Sequence, residues 1–205
     1  MADTHYPRIF QSIKQVLLFV TVVLIFFLLP FSFKLFSSPS SYGLPSNRDA
    51  PTFVLQNSKK HKVSLTDFKG QNLFLMFGYL NCEDICHLQT SLFQEINLLA
   101  DKQDKPVFIY INIDPERDTA YQLERYFDLH GDNFVSLSDA NMKALQSLAN
   151  AFHAHFAKHG GIEATEYEIL HAGLFYLIDK QGKIRYTYSA GQTDAEKIVA
   201  DLSAI

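Results

Sequence analysis

The run Leu73–Tyr79 (LFLMFGY) is apolar almost throughout, so neither face of a strand built from it is suited to water. A strand of that kind lies inside a sheet covered on both sides. Val107–Ile113 repeats the pattern. Between the two, Ile85, Leu88, Leu92, Ile96 and Leu99 recur three and four residues apart, which predicts an amphipathic helix from about Asp84 to Ala100. Further helices are expected over Asp118–Leu129, from a cap at Asp139 to about Phe156, and over Asp194–Leu202. Strands are expected at Phe134–Leu137, Ala172–Ile178 and Ile184–Tyr188, the last two flanking the turn Asp179-Lys180-Gln181-Gly182. Thr52–Gln56 and Lys62–Leu65 read as a hairpin around a polar tip at 57–61. This alternation predicts an α/β domain with a mixed central sheet flanked by helices. No internal repeat or phosphate-binding loop is present, and Gly160-Gly161 is a loop signal only.

The amino-terminal part is of another kind. Gln15 to Phe33 is a stretch of nineteen residues without a charge, bounded by Lys14 and Lys34. As a helix it would span about 28 Å, close to the ~30 Å hydrocarbon core of a bilayer. A cleaved signal peptide is the competing reading, but the run is long for one, and bulky Phe31, Phe33, Leu35 and Phe36 follow where small residues are required. The expected organisation is a cytoplasmic segment at 1–14, one transmembrane helix at 15–36, a Ser- and Pro-containing tether at 37–50 (SSPSSYGLPSNRDA from Ser37), and the α/β domain at 51–205.

Two cysteines in 205 residues exclude a disulfide framework, and a net charge of −4 without a dense Lys/Arg cluster argues against nucleic acid as a partner. Cys82 and Cys86 fall between the first buried strand and the start of a helix, whose free N–H groups favour a thiolate over a thiol. A disulfide closing so short a loop constrains the unfolded chain by only roughly 2 kcal/mol, a poor staple. The polar neighbours Asn81, Glu83, Asp84 and His87 fit badly with two inert buried thiols. The pair therefore points to redox or metal chemistry.

Of the histidines, His5 and His61 read as solvated bystanders, and His130 precedes Gly131 at an expected helix end. His155 and His159 would stand one helical turn apart, where they could chelate a metal, although an exposed polar face is the stronger reading. His87 adjoins Cys86, where it could tune the thiolate or bind a metal. His171 begins a strand expected to be buried, where a polar ring needs a partner.

The segments FGYLNCEDICH (from Phe77), NIDPERDT (from Asn112) and YEILHAGLFYLIDKQGKIRY (from Tyr167), in that order, resemble the Sco/SenC family over about Ala50–Ile205. The resemblance implies a thioredoxin-like fold behind a membrane anchor, and a part in building the copper centre of cytochrome oxidase. It carries that family's two cysteine ligands to Cys82 and Cys86 and its histidine ligand to His171. The run Asp114–Thr119 matches a family signature read here as support near the site, not as ligands. Three positions depart from the pattern. Leu80 stands in place of Thr, and Glu83 and His87 replace prolines after each cysteine, which frees the loop and places a carboxylate and an imidazole beside the ligands.

Soft thiolates select Cu(I), and an imidazole extends the set to Cu(II). Zinc accepts such ligands but normally takes a fourth. A peroxiredoxin is disfavoured by Tyr79, which stands where that family carries Thr. The resemblance thus implies a metallochaperone rather than an enzyme, serving a copper-receiving subunit of a cytochrome oxidase, with the soluble domain outside the cytoplasm of a bacterium. The alternatives are a thiol–disulfide oxidoreductase acting on a thiol partner, and a redox or copper sensor.

Overall fold

The computed structural model describes residues 6–36, 41–82, 85–160 and 167–205, with side chains of the first helix given for 13–28. The chain divides into two compact units, 1–40 and 41–205. The described residues of the first form one helix, α1 (Tyr6–Phe36). The helix expected over 15–36 is therefore present. Among the described residues no helix is long and apolar enough to cross a membrane. His5 and residues 37–40 of the tether lie outside the described residues.

The second unit runs β1 (Leu44–Asp49), β2 (Val54–Asn57), β3 (Lys62–Ser64), β4 (Leu73–Gly78), α2 (Ile85–Leu99), β5 (Val107–Asn112), α3 (Ala120–Tyr126), β6 (Phe134–Ser138), α4 (Met142–Ala151), β7 (Phe156–Gly160), β8 (Tyr167–His171), β9 (Phe175–Ile178), β10 (Lys183–Tyr188) and α5 (Ala195–Ser203). Eight strands form one mixed sheet in the order β1-β10-β9-β4-β5-β6-β2-β3, and β7 and β8 form a separate ribbon. At the centre β4 and β5 run parallel, with Leu73 opposite Val107 and Gly78 opposite Asn112. β9 runs antiparallel to β4, and β10 antiparallel to β9. This βαβ unit, followed by an antiparallel pair on the other side of its first strand, is the expected thioredoxin-like core.

Every residue of β4 and β5 is buried, as their unbroken apolar runs require. Register partners Phe74, Phe108 and Phe134 stack across three strands, with ring centroids 5.6 Å and 4.6 Å apart. Phe93 of α2 packs on this row. On the opposite face Phe77 meets Phe152, which follows α4 and also packs on Tyr176.

Several elements differ from the sequence reading. Residues 44–49, assigned to the tether, form β1 and pair with β10. Asn141, not Asp139, caps α4, its Oδ1 accepting from the N–H groups of Lys143 and Ala144. That helix stops at Ala151 rather than near Phe156. His153 adopts a left-handed φ of 62°, and the N–H groups of His153 and Ala154 turn back to the carbonyls of Asn150 and Ala149, the helix-ending Schellman pattern. His155 consequently precedes a strand and His159 lies on β7, so the two do not share a helical face. His171 does not open β9 but is the last residue of β8.

Candidate metal centre

β4 delivers the chain to the site, and Gly78 at its end is required by what lies over it. A methyl group there would come within 2.9 Å of Tyr110 Oη and 3.0 Å of Cys86 Sγ. Beyond it, Cys82 N–H closes a turn onto the Tyr79 carbonyl. Cys86 sits in the first turn of α2, and its backbone N–H points at Cys82 Sγ, 3.4 Å away. That N–H has no partner within the helix, so a sulfur anion satisfies it. The Cys86 thiol is the foremost influence holding Cys82 well below the ordinary thiol range, and His171 adds to it. The same contact, together with burial, pushes Cys86 upward. The pair therefore shares one proton: thiolate on Cys82, thiol on the deeper Cys86. Neither is oxidised in this structure.

The third group arrives on the ribbon. His171 Nε2 lies 3.6 Å from Cys82 Sγ and 3.5 Å from Cys86 Sγ. Among the described residues these three make the one cluster of metal-binding side chains, their ligand atoms all within 4.8 Å of one another. The Gly173 N–H donates to His171 Nδ1 at 3.3 Å, which leaves the ring proton on Nε2, between the sulfurs. A metal ion at Nε2 takes the place of that proton. Gly173 itself has a φ of 57°, and its carbonyl accepts from the buried Gln89 side chain of α2 at 2.7 Å. The ring of Tyr79 meets His171 edge-on.

What aims the ribbon is the run after β5. Asp114, fully buried, accepts hydrogen bonds from Arg117 Nε and Tyr167 Oη. Arg117 also donates to the Tyr167 carbonyl at 2.8 Å, and its guanidinium lies over the Tyr167 ring. Asp118 Oδ2 accepts from the Leu80 N–H at 2.9 Å. One short segment thus holds both the loop leading to Cys82 and the strand ending at His171. The sequence marked this run as support; the roles of Tyr167, Gln89 and Asp118 emerge only once distant segments meet.

Burial pushes the Asp118 carboxyl up to about 6, with Asp114 adding to the rise and the Leu80 N–H and Arg117 opposing it. An unfolded carboxyl releases its proton near pH 4, so between about pH 4 and 6 the fold holds a proton that the unfolded chain has lost. Asp118 therefore makes stability fall as pH rises through that window, by up to about 3 kcal/mol. Asp118→Asn keeps an oxygen for Leu80 and is expected to abolish this slope. Urea unfolding should show its advantage over wild type widening from pH 4 to pH 7. Parallel pH curves would mean that Asp118 has the same pKa in the folded and unfolded chain.

The remaining histidines stand apart from the cluster. His130 bonds to Gln94, His155 to Asn150, and His159 faces Glu168 across the ribbon. His87 shares with Cys82 and His171 an open cleft of about 700 Å³, but is not one of the three. Glu83 and Asp84 lie outside the described residues.

The SCO1/SenC family profile matches residues 44–205. The chain belongs to the SCO1/SenC family. The SCO1 protein homolog of Bacillus subtilis is 28% identical over 78% of this chain and 84% of its own length. Among solved structures, Bradyrhizobium japonicum ScoI with copper bound is 26% identical, covering 76% of this chain and 98% of that one with a TM-score of 0.62. BsSco, described with a disulfide switch and as a member of the Sco family of cytochrome c oxidase assembly proteins, is similar in fold. It is 24% identical, covers 80% of this chain and 97% of that one, and has a TM-score of 0.62. The SCO1/SenC match begins at β1, so this chain's family domain includes the edge strand.

Proposed function

We propose that this chain is a membrane-tethered copper-binding protein serving assembly of the copper centre of a cytochrome oxidase, holding the ion through Cys82 Sγ, Cys86 Sγ and His171 Nε2. The convergence of two sulfurs and one imidazole nitrogen within 4.8 Å carries the reading. Thiolates suit Cu(I), and the imidazole admits Cu(II). The ScoI structure with copper bound supports the metal, and BsSco's family supports the oxidase. For the anchor, the support is the uncharged stretch between Lys14 and Lys34 and the large apolar side chains of 13–28, exposed all round α1. The domain then faces the outside of a bacterial cell membrane, and a reporter active only there, fused after Ile205, is expected to work.

A second reading, a thiol–disulfide oxidoreductase, is favoured by the asymmetry of the pair. Cys82 holds the thiolate at the cleft while Cys86, 1% exposed, keeps its proton. The two readings separate in one experiment on the full chain. Reduced protein is expected to bind one copper per chain; after oxidation it should lose two mass units and bind none. Reduced protein that takes up no copper yet reduces a disulfide substrate would favour the oxidoreductase.

A further inference from the structure

His87 stands beside the three-atom cluster without belonging to it. It is exposed, it lines the cleft, and its ring packs edge-on against Tyr126 with centroids 5.3 Å apart. The hydrogen bonds behind it run in one direction. Thr90 has a single hydroxyl proton, and Oγ1 donates it to the Cys86 carbonyl at 2.9 Å. Toward Tyr126, 3.1 Å away, Thr90 can then only accept, so the tyrosine hydroxyl donates. With that proton committed, Tyr126 Oη accepts from His87, whose Nδ1 lies 3.0 Å off. His87 thus carries a proton on Nδ1, and in the neutral ring Nε2 is a bare lone pair. Metal-binding imidazoles are held this way, the far nitrogen donating to a partner that fixes tautomer and aim.

We infer that His87 is a transfer ligand, taking copper on Nε2 at the mouth of the cleft and passing it to Cys82, Cys86 and His171, and receiving it again on the way out. The inference rests on the copper reading above. The step is an exchange of ligands: a copper–nitrogen bond to His87 forms and is then replaced by bonds to sulfur, while the ion keeps its oxidation state and no electron moves. His87 has no proton to shed from Nε2, whereas binding by the three displaces two protons to solvent, one from Cys86 Sγ and one from His171 Nε2. One exposed imidazole competes poorly with two thiolates and a second imidazole, so the resting ion stays on the three. A group of this kind speeds entry and exit equally and leaves the equilibrium where it was.

The test uses reduced full chain, with Cu(I) supplied from and withdrawn by a small chelator. His87→Ala is expected to slow uptake and release together by about tenfold, the low end of what partners around a metal site contribute, with Kd unchanged. Tyr126→Phe keeps the ring but removes the acceptor, and should slow both by less. In the metal-free protein, nitrogen-15 spectra should show His87 protonated on Nδ1 and bare on Nε2, a preference lost in Tyr126→Phe. Unchanged rates in His87→Ala overturn the inference. So does a Kd that weakens in step with release, which would make His87 a resident ligand, or an Nε2 protonated in neutral wild-type His87. Wild type that binds no copper overturns the copper reading as well, whereas unchanged rates overturn this one alone.

Discussion

Replacing His171 by alanine is expected to weaken copper binding by more than the ~10–100-fold that follows loss of an outer partner, and to weaken Cu(II) more than Cu(I). The substitution removes an imidazole nitrogen that lies within 3.6 Å of both sulfurs. Two thiolates alone still suit the softer ion. Disulfide formation should persist, since attack of one thiolate on a disulfide sulfur needs no imidazole. Competitive titration of the reduced chain with each oxidation state, beside a redox titration, reads both effects. Equal copper affinity in wild type and His171→Ala would remove His171 from the ligand set and favour the oxidoreductase. His171 is half-buried on a two-stranded ribbon, so truncation there should leave the sheet and its core intact.

Arg117→Ala is expected to have the largest effect on stability, about 3–5 kcal/mol, because it leaves a buried carboxylate without its cation. Asp114 has no exposure to water, and Arg117 and Tyr167 are its side-chain donors among the described residues. The same change strips the Tyr167 carbonyl of a donor and the Tyr167 ring of its stacked guanidinium. The ribbon that ends at His171 then loosens, so copper affinity should fall with stability. The control is Lys180→Ala, whose ion pair with Asp104 lies between side chains 41% and 55% exposed. A pair so well hydrated contributes at most ~1 kcal/mol. Denaturant unfolding of the two variants should differ several-fold in free-energy cost. Similar costs would show that the Asp114 cluster does not hold the fold.

The parts of this fold that were legible are those in which one residue's environment is set by its neighbours in sequence. β4 and β5 announce themselves because a strand buried on both faces has no polar alternate positions. The cysteine pair was legible for the same reason, since a helix start follows within a few residues. β1 was not, because an edge strand of Leu44-Pro45-Ser46-Asn47-Arg48-Asp49, exposed at most positions, has the composition of a loop. The ribbon was hidden because β7 buries only Phe156, so no alternation shows. His171 stood out in the sequence only as a polar ring in an expected buried strand and became a ligand through the resemblance; its placement at the end of β8 rather than at the start of β9 depends on contacts from Gln89, Tyr79 and Arg117. The direction of the bonds through Thr90, Tyr126 and His87 exists only in the folded chain.

The edge strand also decides where the folded unit can be cut. Asp201, 6% exposed, accepts from the N–H groups of Tyr42 and Gly43 at 3.1 and 2.7 Å, and from Tyr188 Oη. A soluble fragment beginning at residue 51 discards both of those amides together with β1. The carboxylate keeps one donor of three, and β10 from Lys183 to Thr187 loses the partner that covered its outer backbone groups. A bare strand of this kind is a template for pairing with a second copy, so such a fragment should come out of expression as oligomer or precipitate. Starting at Ser41 retains the amides and the edge, which makes a difference of ten residues the difference between a tractable reagent and an aggregate.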